Sequence, residues 1–292
     1  MAAEEHGLTA NDYIVHHLTH LQNHKAGNVV DFSVVNFDSL FWTIFLGALG
    51  CWLLWLAARK ATSGVPGRFQ GAVEWLIEMV DGQAKGIVHS AESRKFVSPL
   101  ALTVFVWIVL LNAMDLLPVD LLPFIWEKIY IATGHDPHHA YLRVVPTADL
   151  SITMGLSLAV LLICLYYNVK IKGVGGWAHE LVTAPFGTSK NPAIALLLGI
   201  VNLAMQLIEF VAKTVSHGMR LFGNMYAGEL LFLLIALMGG AFTLSVTGFA
   251  LAAAHIVAGT FWAVFHILII LLQAFVFMML TLVYVGQAHD HH

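Results

Sequence analysis

"NPAIALLLGIVNLAMQLIEFVAKTVSHGMRLFGNMYAGELLFLLIALM", residues 191–238, runs for 48 residues with only Glu209, Lys213, Arg220 and Glu229 charged. At 1.5 Å per residue a helix of that length reaches about 70 Å, against a bilayer core of about 30 Å. Such a helix has to tilt steeply, lie along the membrane, or break. The paired glycines of "MGGAFTLSVTG" (238–248) supply a turn, because they interrupt helices and loosen the backbone. Beyond Glu229 no Asp, Glu, Lys or Arg occurs before Asp290. The last third of the chain is therefore predicted to be a hairpin of two unusually long, tilted helices, at about 191–238 and 248–286.

The rest of the chain agrees with a membrane setting. Of 292 residues 59% are hydrophobic and only 11% charged, with a mean hydropathy of +0.78. A soluble domain carries about 25% charged residues. Charge-free runs at 40–58, 96–114 and 150–169 have the length of simple spans, since about 20 apolar residues cross a bilayer. Pro99 suits the first turn of the second run, where its missing N–H costs nothing. In "GRFQGAVEWLIEMVDGQAKGIVHSAE", Phe69, Val73, Leu76, Val80, Ala84 and Ile87 recur at helical spacing, with Glu74, Glu78, Asp81 and Lys85 on the other face. That pattern predicts an amphipathic helix over about 66–92, lying in the membrane interface or packed on another subunit. The fold class is thus an all-α integral membrane protein of about five transmembrane helices plus one interfacial helix. An outward-facing segment, 1–38, precedes a single membrane domain, 39–292.

Loop charges set the orientation. Residues 59–95 carry six Lys or Arg, against Lys25 alone before the first span, and residues 115–149 carry Lys128 and Arg143 beside five acids. Residues 170–190 add Lys170, Lys172 and Lys190. By the positive-inside tendency the N-terminus lies outside and the C-terminus in the cytoplasm. The net charge of −4 gives no reason to expect a nucleic-acid partner. Cys51 and Cys164 lie in apolar runs and read as small hydrophobes, without disulfide or metal. The acidic "MAAEEHGLTANDY" start lacks the features of a cleaved signal peptide.

The intramembrane charges point to function. On a helical wheel Lys213 and Glu209 lie about 20° from Arg220, and Asn224 and Gln206 about 40°, while Glu229 lies about 180° away. The first five form a polar stripe; Glu229 faces elsewhere. An intrahelical Arg220–Glu229 pair is ruled out because such pairs need i,i+3 or i,i+4 spacing. A guanidinium in the membrane costs at least about 2.5 kcal/mol, so its retention signals a function. His266, Gln273 and Tyr284 share a face of the last helix, and a histidine near a carboxylate can relay protons. In "DLLPVDLLP" (115–123), preceded by Asn112, Asp115 and Asp120 repeat; in "RVVPTADLS" (143–151), Thr147 or Asp149 can cap the next helix. Carboxylates at a lipid boundary also attract cations. Gly218, Gly223 and Gly228 thin the helix around Arg220 and let another helix approach. The i,i+4 histidines His16, His20 and His24 have metal-ligand spacing, but a solvated cluster is the preferred reading. No phosphate-binding loop, HExxH or nucleophile motif is present.

"MRLFGNMYAGELLF" (219–232) followed by "FWAVFHILIILLQAFVFMMLTLVYV" (261–285) closely resembles subunit a of the bacterial F-type ATP synthase membrane sector. "NAMDLLPVDLLP", "LRVVPTADLS" and "KIKGVGGW" extend the resemblance over roughly 40–288. The resemblance implies a non-catalytic, proton-translocating stator subunit in the bacterial plasma (inner) membrane. Its partners would be a ring of c subunits, b-type peripheral stalk subunits and the rest of the ATP synthase complex. No cofactor is implied. By the same likeness Arg220 is the essential arginine between two offset half-channels, with Asn224 one turn on. Glu229, His266 and Gln273 belong to the proton path, and Asn112, Asp115, Asp120 and Asp149 to the outer half-channel. Where some relatives carry a glutamate on the cytoplasmic part of the fifth helix, this chain has Gln206, with Glu209 a turn later and Lys213 beyond it. Those three residues are assigned to the inner exit path. The competing reading, a free-standing proton-coupled secondary transporter, predicts inverted internal repeats. The two halves show no such symmetry. A structural scaffold would leave Arg220 unexplained.

Overall fold

The computed structural model describes residues 10–24, 27, 31, 33–62, 64–136, 140–240 and 244–289. Among them lie eight α-helices and no strand: α1 (Ala10–Leu18), α2 (Phe37–Arg59), α3 (Arg68–Ile87), α4 (Ala91–Ala113), α5 (Leu121–Ala132), α6 (Leu150–Thr183), α7 (Pro192–Gly240) and α8 (Val246–Gly286). Five of them, α2, α4, α6, α7 and α8, are long and apolar enough to cross a membrane.

The expected spans are present but longer than the charge-free runs. Charges end an apolar stretch, not a helix. Thus α6 passes Lys170 and Lys172 and continues to Thr183, bending at Gly173, whose φ of 71° lies in the left-handed region glycine tolerates. Lys172 is retained near that bend by its ion pair with Glu180, at 2.7 Å. The 49 residues of α7 and 41 of α8 correspond to about 74 and 62 Å, both longer than the bilayer core. The expected glycine turn falls between them, with residues 241–243 outside the described residues.

Two helices, α1 and α5, were not anticipated from the sequence. The segment after "DLLPV" reads as loop because Pro118 and Pro123 flank a short apolar run, yet α5 begins at Leu121. Pro123 falls in its first turn, where proline does not break the hydrogen-bond ladder. At 12 residues, about 18 Å, α5 is too short to span a bilayer. The histidine spacing is also not realised as a helical face, because α1 ends at Leu18 before His20 and His24. Of the other histidines, 6, 138, 139, 291 and 292 lie outside the described residues.

The chain divides into two compact units, each drawn from several stretches. The first contains residues 1–49, 107–152 and 222–272. In it Trp107 of α4 donates its indole N–H to the Thr43 carbonyl of α2 at 2.9 Å. The α7–α8 hairpin packs through Phe232 against Trp262 and His266. His255 of α8 is held at 2.7 Å from the Ile235 carbonyl.

The second unit contains residues 50–106, 153–221 and 273–292. Its apolar core joins Val80, Ala84 and Val88 to Val97, Ala101, Tyr167, Met278, Leu282 and Val285. The apolar face of α3 is therefore buried against its own chain at Val80 and Ala84, which sharpens the interface-or-partner alternative drawn from the sequence. Only the N-terminal half of α3 leaves large apolar side chains outside, at Phe69, Trp75 and Ile77. Asp81 on its polar face accepts from Ser98 Oγ at 2.9 Å and pairs with Lys85 at 2.6 Å. Those contacts, Lys85 first and then Ser98, hold the Asp81 carboxyl below the usual carboxylate range.

Candidate functional site

Both units carry polar groups that a membrane helix would ordinarily exclude. In the first unit Glu229 of α7 is buried and faces Arg143, which sits in the irregular segment before α6. Arg143 Nη2 lies 2.5 Å from Glu229 Oε2, and Nε donates to the same oxygen at 3.2 Å. Nη1 of the same guanidinium donates to His20 Nε2 at 3.0 Å, and the Arg143 backbone N–H donates to Asp38 Oδ2 at 3.0 Å. Burying a guanidinium is tolerated only when each donor finds a partner. Here Glu229, His20 and, at 5.6 Å, the face of Tyr226 supply them.

The carboxylate that His266 of α8 meets is Asp115. Its Nε2 lies 2.8 Å from Asp115 Oδ2, at the C-terminal end of α4, and both side chains are nearly fully buried. The two atoms are off the hydrogen-bond line, so His266 Nδ1 and Nε2 and Asp115 Oδ2 remain without hydrogen bonds. The close approach requires Gly228. A Cβ there would run into His266 Cε1 and stand 3.1 Å from Asp115 Oδ2. Asn112, one turn before Asp115 and fully buried, leaves both ends of its amide without a partner. A cavity of about 30 Å³ touches Asp115, Glu229 and His17, enough for a water molecule.

The remaining acids of this unit are tied to the segment before α2. Asp120 is exposed and accepts from Tyr13 Oη at 2.8 Å and His17 Nε2 at 3.1 Å. Asp149 caps α6: its Oδ1 accepts from the Ser151 backbone N–H at 2.9 Å, and its Oδ2 from Asn36 Nδ2 at 2.7 Å. The capping expectation thus holds for Asp149, while Thr147 Oγ1 is buried without a hydrogen bond.

The second unit carries most of the polar stripe. Gln206, Glu209, Lys213 and His217 of α7 line a cavity of about 1040 Å³ with Tyr284 of α8 and Gln287 just beyond its end. Lys213 Nζ pairs with Glu209 at 2.5 Å and donates to Gln287 Oε1 at 2.8 Å. His217 stacks on Phe277, ring centroids 3.7 Å apart. Gly218 packs against Thr153 and Met154 of α6, as its size allows. Gln273 is buried, whereas Arg220 is exposed, as is Asn224 farther along the helix. Among the described residues no carboxylate lies within ion-pair distance of Arg220. Its separation from Glu229 on α7 follows the helical wheel: one side chain is exposed, the other buried.

Sequence reading missed Arg143, His20, Asp38 and His217. His217 was accessible, since it lies about 60° from Arg220 on the wheel. Arg143 was counted only as a loop charge; nothing local marks a lone loop arginine as the partner of a residue 86 positions away. Among the described residues no group of three His, Cys, Asp or Glu side chains could hold a metal.

Comparison with known proteins matches residues 40–286 to the family model described as the ATP synthase A chain. ATP synthase subunit a of Paracidovorax citrulli is 72% identical over 292 residues, covering 100% of both chains. The protein of the same name from an Acidovorax species is 69% identical with the same full coverage. That of Acinetobacter baumannii is 44% identical over 311 aligned positions, again covering 100% of both. With the family model spanning every candidate membrane helix but the first few residues of α2, and relatives aligned from end to end, the chain belongs to the ATP synthase A chain family.

Proposed function

We propose that this chain is the non-catalytic stator subunit through which protons cross an F-type ATP synthase, by two offset half-channels separated at Arg220. As a family member it is a multi-pass membrane component of the ATP synthase complex. The observation that carries the finer reading is the division of charge on α7: exposed Arg220 without a carboxylate partner among the described residues, and buried, paired Glu229. A permanent cation exposed on an apolar helix fits a carboxylate supplied by another subunit, here the ring of c subunits. The apolar surface of α7 supports the same partner, since its most apolar window is only 11% buried, against 39% for α8.

The first half-channel runs past Asp120, Asn112, Asp115, His266 and Glu229, with Gln273 and Asn224 nearer the ring and Asp149 holding the start of α6. Unpaired buried polar atoms at Asn112, Asp115 and His266 support it, because such atoms suit a hydrated path. A proton taken up there neutralises a ring carboxylate, which then faces lipid. After rotation that carboxyl releases its proton to the second half-channel, along Gln206, Glu209 and Lys213; the cavity of about 1040 Å³ supports that assignment. Arg220 favours the ionised ring carboxylate and repels a proton that would otherwise cross directly. The membrane potential supplies about 2.3 kcal/mol per charge per 100 mV, which the ring converts to torque. The setting is the bacterial inner membrane, with residues 1–38 outside, 39–292 as one membrane domain, the C-terminus in the cytoplasm, and b-type stalk subunits holding the chain still.

Arg220→Ala tests the reading in inverted vesicles. ATP-driven proton pumping is expected to disappear while the assembled complex persists. Normal pumping would refute the role given to Arg220.

A further inference from the structure

We infer that His20, in the segment before α2, is a positioning residue for proton uptake: as a neutral imidazole it accepts a hydrogen bond from Arg143 and so aims that guanidinium at Glu229. The inference rests on the proposed proton path and adds a residue to it.

The chemistry of the partners fixes the role. A guanidinium carries donors only, so the 3.0 Å contact between Arg143 Nη1 and His20 Nε2 requires a lone pair on Nε2. The ring proton then sits on Nδ1, which faces Asp38 Oδ1 and Ser39 Oγ, each at 3.4 Å. Asp38 is itself anchored. It accepts from the backbone N–H groups of Leu21 at 3.0 Å and Arg143 at 3.0 Å. The result is a connected row, Asp38–His20–Arg143–Glu229, in which carboxylates stand at both ends and the imidazole sits between acceptor and cation.

The geometry assigns each part of Arg143 a separate task. Nε and Nη2 hold Glu229, and Nη1 is held by His20. Arg143 is 6% exposed, so Nη1 has little access to bulk water if His20 is lost. A buried donor left without an acceptor is costly, and the guanidinium turns to find another, taking Nε and Nη2 off Glu229. The charged groups around His20 are Asp38 of α2, Arg143 and Asp149 before α6, and Glu229 of α7 behind Arg143.

Passive proton conductance of the membrane sector, in reconstituted vesicles of the whole complex stripped of its catalytic head, tests the inference. His20→Ala is expected to lower conductance about tenfold. His20→Gln is expected to restore it to within about twofold, because a glutamine carbonyl accepts from Nη1 and its amide N–H donates to Asp38. Wild-type conductance in His20→Ala, or a His20→Gln variant as slow as His20→Ala, would each overturn the role. Glu229→Gln in the same preparation separates the two levels. If it slows conductance while the His20 variants fail these expectations, the inference falls and the proton path stands; if it has no effect, the path itself is wrong.

Discussion

The Arg143–Glu229 pair makes a quantitative prediction. Two donors of Arg143, Nε and Nη2, are directed at the Glu229 carboxylate, at 3.2 and 2.5 Å to Oε2. A hydrogen bond to a charged group contributes about 1.5 kcal/mol, so the two together are worth about 3 kcal/mol, or roughly 150-fold in a rate or equilibrium. Arg143→Met keeps the length of the side chain and removes its donors; Glu229→Gln keeps the shape of the carboxylate and removes its charge. Each alone leaves the other partner buried and unmatched, the costly case for an ion pair. The double variant leaves neither. Passive conductance of the reconstituted membrane sector, measured for wild type, both singles and the double, closes a thermodynamic cycle. The product of the two single losses is expected to exceed the loss in the double variant by roughly 150-fold. Losses that simply multiply would refute the reasoning, because the two side chains would then act independently.

Two further predictions concern packing and pH. At Gly228 an added Cβ meets His266 and Asp115, whereas at Gly82 on α3 it meets nothing within 4 Å. Gly228→Ala is expected to slow conductance with the complex assembled, and Gly82→Ala to leave it unchanged, or to steady α3 by about 0.5–1 kcal/mol; equal effects would refute the contact at Gly228. Asp81 is held below the ordinary carboxylate range, so its contact with Ser98 contributes stability that is present above the unfolded value, about 4, and lost as pH falls through the lower folded value. Hydrogen exchange in the C-terminal half of α3 is expected to accelerate across that acid window in the wild type and to lack the step in Asp81→Asn. A step that survives in Asp81→Asn would assign it to another group.

The number and order of the long helices were legible in the chain because membrane spans are set by the length of an apolar run, a local property. The opposed facing of Arg220 and Glu229 was legible for the same reason, since helical periodicity alone separates them. Local reading failed where apolar length stopped being the determinant. Helix α5 begins between two prolines, and α6 continues past two lysines because Gly173 bends it and Glu180 pairs with Lys172.

The partners of the buried charges were decided only in three dimensions. From the sequence, Glu229 on α7 and His266 on α8 were both placed on the proton path, with contact between them left open. In the structure His266 stands against Asp115, and Glu229 is held by Arg143, whose Nη1 donates to His20, 123 positions away. Burial is what enforces these choices. Away from water a donor or carboxylate is stabilised chiefly by a counterpart within about 3 Å, and which groups lie that close depends on how the helices pack, not on spacing along any one of them. The chain's apolar pattern determined that charges such as Arg220 and Glu229 would be rare, costly and separated; the packing determined that one would be exposed, with no carboxylate beside it among the described residues, and the other enclosed with a partner.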